Sequence, residues 1–360
     1  MNNALRYLLL PLTAAALLLT WTAGCKGRTD RTEIAETDTL QPEPSRVSLL
    51  FAGDVMCHMP QITAARRGDG YDFTPSFEYV KPVIAAADVA IVNFETVVSP
   101  DGRYAGYPCF SSPAALAGAL KDAGVDIALT ANNHCCDRGR RGIAATAHCL
   151  DTLGIACTGT FCDSTDYEQR NPLRFESRGV KFALINYTYG TNGLPVPEGC
   201  IVNLTDTAAM ARDLEAARDA DFRIAYMHWG EEYARRPTAS QRSLAAFLHR
   251  HGADLVIGSH PHVIQPADTC AAAPTLYSLG NFVSNQRKRY CDGGLMVQAE
   301  VEKSAEGEVS CSLRFIPVWV RLPGYRILPP AVADTLAMSA DERWQYEQFR
   351  ADTKSLLQLQ

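Results

Sequence analysis

Five apolar runs in this chain each stop on a side chain that can bind a metal ion, and that recurrence constrains the fold more than any other feature. The runs "VSLLFAGD", "DVAIVNFE", "VDIALTANNH", "FRIAYMHWG" and "ADLVIGSHPH" end on Asp54; on Asn93 and Glu95; on Asn132, Asn133 and His134; on His228; and on His260 and His262. Short runs rich in Val, Ile, Leu and Phe read as buried strands. Between them "SFEYVKPVIAAA", "SPAALAGALKDAG", "GRRGIAATAHCLDTLG", "DTAAMARDLEAARDA" and "TASQRSLAAFLHRHG" read as amphipathic helices, several closed by Gly. Strand and helix alternate closely from residue 76 to 163, which predicts a layered α/β or mixed-sheet fold. Ligands in open α/β sheets gather at the carboxyl ends of strands, so these sequence-distant residues are expected to converge.

Taken singly, each residue has an ordinary structural role. A strand-end Asp usually forms a turn or caps a helix, and helical histidines such as His148 and His249 usually sit at the surface or on a satisfied partner. Two imidazoles one residue apart at the end of a buried strand, His260 and His262, are costly unless something binds them. Carboxylates, an amide oxygen and imidazoles together suit divalent Zn, Mn or Fe and need no thiolate.

Charge narrows the partners. The 360-residue chain carries a formal net charge of -6 and no polybasic stretch, so it has no electrostatic footprint for nucleic acid. Its 47% apolar content is enough for a large core. At the N-terminus, Arg6 precedes "YLLLPLTAAALLLTWTAGC", too short and too quickly polar to span a membrane comfortably, which fits a signal peptide over residues 1–24. Thr22-Ala23-Gly24-Cys25 resembles a bacterial lipobox, in which the cysteine is diacylated and becomes the mature N-terminus; the other reading is an ordinary signal peptide with an incidental cysteine. Residues 25–46 read as a solvated tether, and the expected address is the bacterial cell envelope, exported and lipid-anchored. Of twelve cysteines, eleven remain after Cys25, an odd number without regular spacing or a CxxC motif. Most are expected to be buried small hydrophobes.

The blocks "FAGDVM", "VNFET", "TANNHCCDRG", "MHWGEEY", "IGSHPHVIQ" and "YSLGNFV", in this order over residues 51 to 283, resemble the signatures of the CapA (poly-γ-glutamate synthesis, capsule-biosynthesis) family of the calcineurin-like metallophosphatase superfamily. The resemblance implies a four-layer α/β/β/α sandwich of the metallophosphoesterase type over residues 47–325, with a C-terminal helical extension over 326–360. It implies one or two divalent ions: Asp54 and His262 on the first, Asn133, His228 and His260 on the second, and Glu95 bridging them. His134 would act as a proton donor or transition-state stabiliser. The superfamily's Asp-x-His element here has Met56 in its third place, a poor ligand for such ions, which makes His58 a candidate replacement. Glu232, Tyr233, Gln265 and Asn281 lie in the matching blocks and are expected to line the substrate pocket. Arg138, Arg140 and Arg141 follow the Asn-His loop and could meet an anion, although three arginines opening a helix are more often solvent-exposed. The expected activity is metal-dependent, phosphoesterase-like hydrolysis of an envelope polymer or phosphoester. The alternative is a non-catalytic accessory subunit of a capsule or polyglutamate synthesis and export complex. The segment "ADERWQYEQFRADTKSLLQ" reads as a helix beside the domain, only partly docked through Trp344, Phe349 and Leu356 or Leu357.

Overall fold

Alternation along the central strands decides the layering. In the computed structural model, which describes residues 44–269 and 273–357, Leu49 and Phe51 point to one face of the strand Ser45–Val55 while Leu50 and Ala52 point to the other. Ile224 and Tyr226 alternate in the same way with Ala225 and Met227 on Phe222–His228. Both faces of both strands are buried, which is why they read as continuous apolar runs.

Two sheets result. The first has eight strands, in the order Arg326–Leu328, Val309–Arg321, Gly293–Lys303, Ser45–Val55, Val89–Asn93, Ile127–Leu129 and Ala156–Thr158, with Asn281–Val283 also paired to Ser45–Val55. The second has six, in the order Ala267–Asp268, Thr275–Leu276, Leu255–Ser259, Phe222–His228, Val180–Thr188 and Leu173–Ser177. Phe51, Ile91 and Leu129 of the first meet Phe182, Ile224 and Ile257 of the second in the middle layer. On the outer face of the first sheet, Leu50, Val92 and Ala128 pack with Leu116, Leu120 and Leu150 of the helices Ala115–Ala123 and Gly139–Thr152. On the outer face of the second, Ile185, Met227 and Val256 pack with Met210, Leu214 and Leu248 of Thr207–Ala216 and Ala239–Arg250. The architecture is the expected α/β/β/α sandwich, and each fully buried Leu, Ile or Phe contributes about 1.5–3 kcal/mol to it.

Some expectations needed correction. The run 76–87 is not one helix but two short ones, Thr74–Phe77 and Lys81–Ile84, because Pro82 cannot donate a backbone hydrogen bond and takes the first turn of a new helix. The helix Ala115–Ala123 does close on Gly124, whose φ of 108° suits glycine. Past residue 325 the chain still adds a strand, Arg326–Leu328, to the first sheet. The helix Ala340–Leu357 then packs Tyr346 and Phe349 into the middle layer, with the Tyr346 ring 5.8 Å from Trp319. Trp344 instead stands 59% exposed. All ten cysteines described are free, and the adjacent Cys135 and Cys136 hold their sulfurs 3.9 Å apart. Cys57, Cys135, Cys136, Cys157 and Cys291 are buried and the other five half-buried, while Cys25 lies outside the described residues. Among the described residues no helix is long and apolar enough to cross a membrane.

Candidate metal centre

The carboxyl ends of the parallel strands of both sheets open onto one buried polar cluster. In the first sheet Asp54 is in register with Asn93 and with Asn281. Gly53 lets the chain pass close by, since a Cβ there would lie 1.9 Å from the Gly280 carbonyl oxygen, and that same oxygen accepts the Asp54 N–H at 3.0 Å. In the second sheet His228 is in register with Thr188 and Ser259, the residue before His260. His260 and His262 adopt positive φ values of 97° and 58°, which cost about 1–3 kcal/mol each and persist only where the surroundings fix them.

Two donor groups form, and Glu95 belongs to both. Glu95, His228 and His260 bring one ligand atom each to within 4.8 Å of one another, as do Asp54, Glu95 and His262. All five residues are buried. Glu95 Oε1 lies 3.7 Å from Nε2 of His228 and 3.7 Å from Nε2 of His262. His262 Nδ1 is 3.0 Å from Asp54 Oδ2, and Asn93 donates to Asp54 Oδ1 at 2.7 Å. Asn133 places its Oδ1 2.9 Å from His228 Nε2, held there by its own bond to Asn192 at 3.1 Å. The loop carrying Asn133 is tied across the sheets, because the Ala131 N–H bonds the side chain of Asn186 at 2.8 Å.

Several polar atoms of this cluster have no partner among the described residues. Neither oxygen of the buried Glu95 has a hydrogen-bond partner, nor has His260 Nδ1. Burial, and then the charge of Asp54, push the Glu95 carboxyl well above its ordinary range. Burial and the neighbouring imidazoles hold His228 well below its usual value and take His260 down to about 3. Burial pushes Asp54 up too, but the hydrogen bond and charge of His262 outweigh it and leave the carboxyl below its ordinary value. Neutral imidazoles are the form that binds metal, and carboxylates without partners are costly unless a cation meets them. The donor set therefore fits a divalent ion, and the sharing of Glu95 leaves room for one ion or two.

His134 belongs to neither group. Its Nδ1 lies 2.8 Å from Asp137 Oδ2, which also accepts the Phe110 N–H at 2.6 Å, and its ring meets the Phe110 ring edge-on at 4.6 Å. Asp137 was not singled out from the sequence, although the His-x-x-Asp spacing was there to be read. Asn93 and Asn132 carry structural roles. Asn132 accepts the His134 N–H at 3.1 Å and donates to the Phe94 carbonyl at 2.9 Å.

Several other expected site residues are engaged elsewhere. His58 joins neither donor group: it precedes the helix Met59–Ala65, its Nδ1 sits 3.1 Å from Gln61 Oε1, and its ring packs on Phe110. Gln265 is buried and spends its amide on Gln241, Ala234 and Arg236, so it braces a loop rather than facing a substrate. Arg138 donates to the carbonyls of Cys109 and Phe110, and Arg140 to that of Glu198. Asn281 donates to Gln286 and Cys291 but leaves its buried Oδ1 unpartnered. Tyr233 does face the cluster, its ring 6.2 Å from that of His262, and the exposed Glu232 precedes it. Tyr189, absent from the sequence expectations, packs its ring 4.5 Å from that of His260.

The model of the family described as "Bacterial capsule synthesis protein PGA_cap" matches residues 48–286. This chain belongs to that family. Among its relatives, the PGA biosynthesis protein CapA of Bacillus subtilis (strain 168) is 26% identical over 269 residues, covering 72% of this chain and 69% of that one. The capsule biosynthesis protein CapA of Bacillus anthracis is 29% identical over 297 residues, covering 78% and 68%. Of solved structures, a phosphatase of Mycoplasma pneumoniae aligns with 15% identity and a TM-score of 0.47, over 76% of this chain and 94% of that one. The matched residues of the family span every member of the two donor groups and His134.

Proposed function

We propose that this family member is a metal-dependent hydrolase of phosphoesters in the cell envelope, acting on a polymer or precursor of capsule or poly-γ-glutamate synthesis. One observation carries the reading: two buried donor groups share a carboxylate whose oxygens have no partner among the described residues. Asp54, Glu95 and His262 would hold one ion, and Glu95, Asn133, His228 and His260 a second. Bound there, divalent ions lower the pKa of a water molecule and polarise a phosphoryl oxygen. The chain's own residues supply the rest. Asn93 and His262 orient the Asp54 carboxylate from either side. Asp137 accepts a hydrogen bond from the Nδ1–H of His134, which fixes the ring and offsets the charge of the doubly protonated imidazolium, whose Nε2–H would give its proton to the departing oxygen and leave the neutral Nδ1–H form. Phe110 and Tyr107 wall that imidazole, with ring centroids 4.6 and 6.4 Å away.

The test is to assay purified protein for metal content and for hydrolysis of a panel of phosphomonoesters and phosphodiesters, before and after chelation. Hydrolysis that disappears on chelation and returns with Mn or Zn supports the reading. A protein that binds metal yet cleaves nothing on the panel fits the accessory-subunit alternative instead.

The lipid anchor belongs to the same proposal. Acylated Cys25 would carry more than one chain, and stable anchoring takes at least two hydrophobic signals. Residues 25–46 would then let the catalytic body work above the membrane surface. Replacing Cys25 by Ala is expected to release the protein from the membrane fraction or leave it unprocessed. Normal processing and membrane attachment in that variant would overturn the lipobox reading.

A further inference from the structure

Two half-buried cysteines face each other beside the loop that borders the metal centre. The strands Thr160–Phe161 and Ile201–Val202 form an antiparallel ribbon in which Phe161 pairs with Ile201 and Thr160 with Val202. Carried one step further, that register sets Cys162 opposite Cys200. The pairing type follows from the hydrogen bonds. Asn203 N–H bonds the Gly159 carbonyl at 2.9 Å, so Gly159 and Asn203 are a hydrogen-bonded pair, and alternation makes Cys162 and Cys200 a non-hydrogen-bonded one. Their own N–H groups point elsewhere: that of Cys162 to the Asp166 carboxylate and that of Cys200 to the Pro197 carbonyl. In such pairs the Cα atoms are about 4.5 Å apart, inside the roughly 4.4–6.8 Å window that a disulfide requires. Both side chains lie on one face of the ribbon, packed against the same small apolar cluster as Val202, Cys135 and Cys136.

We propose that Cys162 and Cys200, free thiols in this structure, are a disulfide-forming pair that closes when the chain meets a disulfide oxidant. One thiolate attacks a sulfur of the oxidant, breaking its S–S bond and forming a mixed disulfide. The second thiolate then displaces the oxidant from it. Two cysteine thiols are oxidised to one S–S bond, and the oxidant leaves as two thiols that carry the electrons and protons.

The position gives the bond a consequence at the centre. The loop between Thr188 and Ile201 starts at Tyr189, whose N–H bonds the His228 carbonyl at 3.0 Å, and it supplies Asn192, the partner of Asn133. Its far end is Cys200. A bond from Cys200 to Cys162 pins that far end and restricts the loop.

Full-length protein should be incubated natively with oxidised glutathione, its remaining thiols alkylated, and its peptides mapped without reduction. The expected product is a single dominant linkage, Cys162 to Cys200, accompanied by a rise in melting temperature of roughly 5 °C. Cys162→Ser and Cys200→Ser each abolish both effects, Cys136→Ser leaves both in place, and the urea-unfolded chain gives scrambled pairs. Recovery of Cys162 and Cys200 alkylated, as mixed disulfides with glutathione, or linked mainly to Cys135 or Cys136, overturns the proposal. The readout is covalent and independent of metal or hydrolysis, so it stands or falls apart from the proposed function.

Discussion

Glu95→Gln is expected to strip the protein of most of its metal and its activity together. Glu95 is the one residue common to both donor groups, and its charge would offset the mutual repulsion of two ions held close together. The amide keeps the shape but offers a neutral oxygen. After gel filtration, elemental analysis should find most of the wild-type metal gone, and added metal should raise the melting temperature of the wild type but not of the variant. The order should reverse under chelation. Without a cation, Glu95 is a buried carboxyl beside buried Asp54, pushed well above its ordinary range, so at neutral pH its ionisation opposes folding. That cost is absent below the unfolded pKa, grows as pH rises towards the folded one, and is missing from the glutamine variant altogether. Chelated Glu95→Gln should therefore melt at or above the chelated wild type at pH 7, with the gap closing near pH 4. A variant that retains full metal would remove Glu95 from the shared position.

Much of this site could be read because its residues end strands that are buried on both faces. Burial makes the runs apolar up to their last residue, so Asp54, Glu95, His228 and His260 stand out, and the parallel register of each sheet then lines the ends up. Other parts were less legible for physical reasons. The long hairpin Gly293–Lys303 and Val309–Arg321 is covered on one face only along much of its second strand, where Val309, Cys311, Leu313 and Phe315 pack inward while Ser310, Ser312 and Arg314 are exposed, and that alternation lacks the run signature. Val180–Thr188 is as apolar as the others but ends on no charged ligand, although Tyr189 just beyond it reaches His260. In the C-terminal helix, Tyr346, Phe349 and Thr353 follow the i, i+3, i+7 stripe of one face, whereas Trp344 is five residues from Phe349 and falls on another.

Side-chain allegiance was the least legible of all. Gln265 and Arg138 sit in blocks that match the family, yet their donors go to backbone carbonyls that hold the 234–236 and 109–110 segments in place. Composition and spacing do not say where an amide or guanidinium spends its hydrogen bonds. The Arg138 bonds nevertheless bear on the centre indirectly. They fix the segment whose Phe110 ring and N–H hold the His134 and Asp137 pair.

That pair yields the sharpest separation of binding from chemistry. His134→Ala is expected to leave metal content close to wild type, since His134 belongs to neither donor group, while lowering turnover by about 10²- to 10⁴-fold, the usual loss when a general acid is removed. Asp137→Asn should also retain metal and lower turnover, because a neutral amide no longer holds the Nδ1–H in place or offsets the charge of the imidazolium whose Nε2–H serves the leaving group. The readout that excludes a merely structural defect is the leaving group itself. A p-nitrophenyl ester departs without needing a proton, so both variants should lose little against it, while an alkyl ester should show the full loss. Nitrogen-15 spectra of the imidazole add a readout that needs no substrate, with Nδ1 of His134 expected to stay protonated in the wild type, whether or not Nε2 also carries a proton, and to share its proton with Nε2 in Asp137→Asn. Equal losses on both esters, or metal lost from His134→Ala, would remove His134 from the role of acid. An unchanged imidazole spectrum in Asp137→Asn would remove Asp137 from the role of positioning it.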